Sequence, residues 1–543
     1  MVPSLLTVHW ARVVVLLTSF CLGDCGLTRH DVASDTPDLI AGLGSLEHHI
    51  ATRNSDAQRF FDQGLKLVYA FNFGSAVRSF ERSADLDPTS PMPYWGIALA
   101  LGPNYNAWGM GESRAQRAYT AIQKALVISA NAPENERALV NALAQRYANN
   151  EGGDQNALGR NYSTAMGALT RQYPDDPDIN VLYADSLMVL HPWHLWANDG
   201  QPGEKTEEIL TILEGALRRW PDHLGANHLY IHLMEGSPFP ERALMSAKRL
   251  ETLAPAAGHL LHMPAHVYFR TGDYAAAVTS CLKAKTADEE YLQAHPLMAM
   301  SYKGYAEHNL YFLAAAAAMS GEFSTASTTA EKLGAGAHSE AFLVTPLLVL
   351  MRFARWDDVA RTPQPDEEAW GVRFFWRYAR GCAFAAKRQL TYAEDERRAM
   401  EREVERLPKG RAFGMFFNDW TTLHDLASLS LQARIAGARG ENALAIRLWR
   451  TAVEVQDRMR FDDIPDWYYP LRESLGAALL RGGHSAEAER VFREDLVRTP
   501  RNPRSLFGLW KALEVQGLSV SAAWVHTAFI AVWRGENIRI EDL

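Results

Sequence analysis

Cysteine is scarce in this chain: four residues in 543, of which Cys21 and Cys25 lie in the first 26 and only Cys281 and Cys382 lie beyond. Two widely separated cysteines make neither a disulfide framework nor a CxxC metal or redox motif, so stability must come from packing. Other motifs are missing too. No glycine-rich phosphate loop and no GxSxG is present, and Leu229-Tyr230-Ile231 between His228 and His232 leaves no HExxH, which disfavours P-loop, serine-hydrolase and zincin chemistry. The net charge of −9 is modest and no long basic run occurs, so no nucleic-acid footprint is expected. Strand-type alternation is nearly absent, and the reading is all-α.

An apolar run lies near the start. Arg12 precedes Val13-Val14-Val15-Leu16-Leu17, and the run ends near Leu22. About ten apolar residues suit a signal-peptide core and are too few for a membrane span. Residues 1–26 read as a signal peptide and 27–50 as a flexible segment, and the mature chain is expected to be secreted or periplasmic. No stable membrane span is expected beyond the signal segment.

What the chain has instead is ordered histidine. His228 and His232 are followed 34 residues later by His262 and His266. Residues at i and i+4 share one helix face, so the same two positions of successive repeats carry a histidine pair. The repeat is visible elsewhere. From Ala57, small and apolar residues fall at Gly64, Ala76 and Phe80, with Pro88 to stop the second helix; from Tyr469 the same offsets give Gly476, Ala488, Phe492 and Pro500. Clear repeats span 57–90, 224–257, 258–291 and 469–502, and a weaker one starts at Leu426. Divergent helices are expected at about 113–129, 131–148, 156–172, 178–190, 205–218, 339–354, 369–387 and 391–406.

The stretches FDQGLKLVYAFNFGSAVRSFERSADLDP, YWGIALALGPNYN, ANHLYIHLMEGSPFPERAL and GHLLHMPAHVYFRTGDY resemble the tetratricopeptide repeat (TPR) superfamily, a 34-residue helix-turn-helix unit. The resemblance covers nearly all of 51–543 and extends to a group of long TPR proteins. It implies a right-handed α-solenoid of antiparallel helix pairs whose first helices line a concave groove, with repeat positions 2, 5, 9 and 12 facing it. Such grooves bind peptides or protein partners.

In that register His228, His232 and Glu235 are positions 5, 9 and 12 of one repeat, and His262 and His266 are positions 5 and 9 of the next. The third repeat starts late, near Glu307, and brings His308 to position 2; the extra residues, about 288–303, could fold over the groove as a lid. Pro264, inside an expected helix, implies a late start or a kink. His191, His194 and His259 could join from the sides. Imidazoles suit Zn, Cu or Fe, whereas few carboxylates argue against Ca or Mg.

Three functions compete on these residues. The first is a binding module whose histidine-lined groove takes a peptide, a protein partner or a small ligand. The second is a metal-dependent enzyme in which His228, His232, His262, His266 and His308 hold the ion and Glu235 is the general base, for hydrolysis or oxidation on a small-molecule substrate. The third is a hydrogen-bonded histidine stack with a structural role. The groove-binding reading leads, with the metalloenzyme as its alternative.

Overall fold

The repeat rests on one packing device. A Cβ on Gly64 would lie 2.6 Å from the Phe80 ring, and one on Gly96 would lie 2.5 Å from it. Phe80 therefore sits between the first helix of its own pair and that of the next, and only glycine admits the ring from both sides. Phe492 is seated in the same way between Gly476 and Gly508. Interdigitation at this closeness makes core volume changes costly.

In the computed structural model, which describes residues 37–543 except 149–153, 337–338, 407–409, 411, 413–417 and 468, these pairs run along the whole chain. Among the described residues there are 24 α-helices and no strand beyond isolated bridges. The architecture is a TPR-type α-solenoid. The clear repeats appear as pairs: Ser55–Tyr69 with Phe73–Leu86, Leu224–Glu235 with Leu244–Leu253, Gly258–Thr271 with Tyr274–Ala294, and Leu471–Arg481 with Ser485–Arg498. The divergent stretches are helical as expected, from Glu112–Ile128 to Leu390–Val404.

The signal-peptide reading, residues 1–26, lies outside the described residues. Of the segment 27–50, residues 37–50 are laid along the solenoid instead of hanging free. Leu43 and Ile50 are buried, and the Ala256 backbone N–H donates to the Gly42 carbonyl.

Two local expectations change. The helix Gly258–Thr271 continues through Pro264 without a late start. The extra residues 288–303 are not a loop: they lengthen the helices Tyr274–Ala294 and Ala299–Ser320, which meet at a short turn over Pro296–Met298. Pro296 can occupy only a first turn, so the chain breaks there and both flanks stay helical. This extension reaches the first repeat, where the Tyr291 hydroxyl is 2.5 Å from Ser75 Oγ.

The solenoid winds around its central helices. Tyr69 of the first repeat packs on Gly225, and Phe461, from the loop between Asn442–Asp457 and Leu471–Arg481, lies by Gly236. The groove side of the histidine helices is thus covered by other parts of the chain. Among the described residues no helix is long and apolar enough to cross a membrane.

Candidate metal centre

Six histidines from three successive first helices meet in this interior. Leu224–Glu235 supplies His228 and His232, Gly258–Thr271 supplies His259, His262 and His266, and Ala299–Ser320 supplies His308. They sort into two triads, His228–His232–His259 and His262–His266–His308, each bringing one ring nitrogen per residue within 4.8 Å of the others. The triads abut: the rings of His232 and His266 are 5.8 Å apart and those of His259 and His262 are 6.1 Å apart. All six are buried, from 0% exposed at His228 to 7% at His308. The expectation that they line an open groove therefore fails, because a peptide lying on the solenoid would not reach them.

The far side of five of these rings is held by an acceptor. His228 Nδ1 donates to the Tyr69 carbonyl at 2.6 Å, and His232 Nδ1 donates to Glu235 Oε1 at 2.8 Å. His266 Nδ1 donates to Glu235 Oε2. His262 Nδ1 lies 3.0 Å from Asn309 Oδ1, and Asn309 Nδ2 donates to the Cys281 carbonyl, which turns the amide so that His262 is the donor. His308 Nε2 lies 3.2 Å from Asp463 Oδ2. With one nitrogen of each of these five rings carrying its hydrogen on the outside, the other presents a lone pair to the inside; His259 has no such outer acceptor, and its Nε2–H can donate to His228 Nε2.

Those inward nitrogens face one another. His262 Nε2 and His266 Nε2 are 2.9 Å apart, and His228 Nε2 and His259 Nε2 are 3.1 Å apart. His232 Nε2 and His308 Nδ1 are buried with no hydrogen-bond partner. Between His228 and His259 an N–H···N bond settles the contact, whereas His262 and His266 need a proton or a metal cation between them. Burial, with the neighbouring imidazoles adding to it, holds His228, His259 and His262 well below the ordinary histidine pKa, and burial lowers His308 too. His266 is raised, because Glu235 outweighs its burial.

Glu235 has a different position from the one expected of a general base. Its two oxygens are each engaged by an N–H, one from each triad. Burial would raise its pKa, but His266 and His232 hold it down to about 2. A carboxylate so committed is a poor proton acceptor and a good clamp on ring orientation.

Around the triads lie aromatic rings. Phe71 is 4.3 Å from the His228 ring and Tyr105 is 5.2 Å from the His232 ring, with Trp193 stacked on Tyr105 at 5.1 Å. Tyr305 covers His259 at 4.9 Å and Phe312 covers His266 at 4.5 Å. Phe71 and Trp193 hold left-handed backbone, φ 55° and 61°, a conformation that is rare for bulky residues and recurs at functional sites. The helices ending at Thr271, Ser320 and Arg439 carry glycine at the equivalent turn position. Asp178 accepts from His48, His223 and the Tyr69 hydroxyl and so fixes the tyrosine whose carbonyl holds His228.

His228, His232, His262, His266 and His308, singled out by register, all enter the triads, as does His259. His191 and His194 enter neither; Trp193 between them reaches the site instead. Asp463 and Asn309 carried no register signal, although Asn309 follows His308 directly.

No family model matches the chain, and no curated protein does either. Solved structures similar to it include the P58(IPK) TPR domain, at 12% identity over 86% of this chain and 99% of that one, TM-score 0.24. Yeast Tom70 is similar at 11% identity over 90% and 94%, TM-score 0.32. A human IFIT1 dimer with m7Gppp-AAAA is similar at 10% identity over 89% and 91%, TM-score 0.30. The chemistry of a site on such a fold has to be argued from its residues.

Proposed function

We propose that this protein is a metalloprotein whose central helices hold two transition-metal ions, one in each histidine triad, and that it acts as a metal-dependent enzyme on a small substrate. The observation that carries the reading is the pair of buried inward nitrogens, His232 Nε2 and His308 Nδ1, that have no hydrogen-bond partner. A single proton could reconcile His262 with His266, but it would leave His232 Nε2 and His308 Nδ1 buried without partners. One ion per triad satisfies all six nitrogens. Imidazole-only sets suit Zn, Cu or Fe, and three protein ligands leave a coordination position open, the mark of catalytic rather than structural metal sites.

In this reading Glu235 is a positioning residue shared by both triads, and Asp463, Asn309 and the Tyr69 carbonyl orient the rest. Protein partners would use the outer faces of the solenoid. The amino-terminal segment, read as a secretory signal, makes the centre secreted or periplasmic.

The test is metal content. The chain is purified without a histidine tag, reconstituted separately with Zn, Cu and Fe, and measured by mass spectrometry beside His232→Ala and His266→Ala. About two ions per chain are expected, with at least one lost in each variant while helical circular dichroism is kept. If no metal binds under any condition, the reading fails, and the histidines are a hydrogen-bonded stack whose removal changes stability alone.

A further inference from the structure

The charges around the triads bear on which metal the site takes. The carboxylates bonded to the six imidazoles are two, Glu235 and Asp463. Arg270 stands on the same side, its guanidinium donating to the backbone carbonyls of Glu235 and Ser237. Two divalent ions would bring four positive charges into this aromatic interior, against two negative charges and one further positive one. An uncompensated buried charge is strongly unfavourable. Two monovalent ions bring two and leave the smaller excess. Among metals that accept imidazole, copper is the one with a stable monovalent state, and three neutral nitrogens with no carboxylate among the ligands suit it.

The space around the triads limits what can react there. A void of about 20 Å³ touches His228 alone of the six histidines, on the side of Tyr69 and Leu229. All six are buried, so what reacts at the triads must be far smaller than a peptide or sugar.

We propose, building on the two-metal reading above, that the triads hold a pair of copper(I) ions and that the small molecule the pair takes is dioxygen, bound between them. The step balances without protons. Each copper(I) gives one electron, dioxygen accepts two, its O–O bond falls to a single bond, and the product is two copper(II) ions with one peroxide dianion. The total charge on the metals and ligand is two positive before and after, so the buried site meets no new charge as dioxygen binds. The abutting triads supply the geometry: His232 and His266, one ligand from each, share the single carboxylate of Glu235.

The experiment uses the full chain. The metal-free protein is titrated anaerobically with copper(I) against a chromophoric chelator, in parallel with Zn(II), and the copper(I) form is then mixed with air-saturated buffer. Expected are two copper(I) per chain, uptake of one dioxygen per two copper ions, a near-ultraviolet peroxide-to-copper absorption, and little or no copper(II) signal in electron paramagnetic resonance because the two spins pair. His232→Ala and His266→Ala should each abolish the dioxygen adduct. Binding of two Zn with refusal of copper(I) would overturn the inference and leave the two-metal reading intact. So would a copper(I) form that takes up no dioxygen, or one that oxidises to two uncoupled copper(II) ions with full signal. Failure to bind either metal would overturn both.

Discussion

Of the buried polar clusters among the described residues, two are built on opposite plans. Near the carboxy-terminal end, Arg352 closes on Glu473 through two nitrogens, and Asn502 donates to Glu473 Oε1 and to Asp495 Oδ2, each at 2.8 Å. Ser505 donates to the same Asp495 oxygen at 2.6 Å. The Arg352 guanidinium meets the Glu473 carboxylate, and the amide of Asn502 joins Glu473 to Asp495. In the histidine cluster the outward nitrogens of five rings are held by acceptors, but His232 Nε2 and His308 Nδ1 face no partner. A network whose members bond one another needs nothing added, whereas one ordered on its outside and orphaned on its inside leaves room for the proposed ion. This contrast, more than the number of histidines, supports the metal reading.

The contrast can be broken by substitution. Arg352→Ala leaves Glu473 buried without its cation, and such losses cost about 3–5 kcal/mol. Chemical denaturation should show that loss, while the fraction still folded keeps its metal. If metal uptake fell in proportion to stability, the two clusters would not be independent.

A pH series sharpens the same cluster. Burial and Glu473 raise Asp495 to about 7 from an ordinary 3.8. Between those values the folded chain holds a proton that the unfolded chain has released. The Asp495 contribution to stability therefore falls as pH rises from about 4 to about 7, by up to about 4 kcal/mol. Asp495→Asn should flatten that part of the curve in melts at a series of pH values. An unchanged slope would show that Asp495 is ionised throughout.

In the histidine cluster, Glu235→Gln keeps the shape but cannot accept an N–H from both rings. Losing such a partner lowers metal affinity about 10–100-fold, to be read by chelator competition. The fold should be unharmed, and a change in melting without a change in affinity would give Glu235 a structural role only.

The effect on the metal is expected to be smallest at Phe71. Its left-handed backbone costs about 1 kcal/mol that glycine would not incur, while its buried ring covers the first triad. Losing that ring costs about 3–5 kcal/mol, so Phe71→Gly should destabilise by about 2–4 kcal/mol net and should speed metal release in stopped-flow chelation. Unchanged release would remove Phe71 from the site.

Much of this was legible in the sequence, and the reasons are local. Helix pairs announce themselves through small residues, aromatics and prolines at set offsets, since Gly64, Phe80 and Pro88 act within one repeat and its neighbour. The i, i+4 pairs were readable because a helix places them on one face whatever surrounds it. Register carried His308 into the set across a lengthened turn. Glu235 was found as a residue of the site and given the wrong task, because its two bonds come from different helices. Asp463 was not found: it reaches His308 from a loop 155 residues further along, and nothing in local spacing encodes such a contact. Phe71 and Trp193 escaped for the same reason.

The linear order of residues settles the solenoid and the face of each helix on which a histidine stands, since both depend on contacts within a few tens of residues. Whether those faces stay open as a groove or close into an interior depends on how far the superhelix winds. So does which ring nitrogen carries its hydrogen outward, because Tyr69, Asn309 and Asp463 arrive from separate parts of the chain. Burial and the two orphaned inward nitrogens, the features from which the metal reading follows, are therefore products of long-range packing.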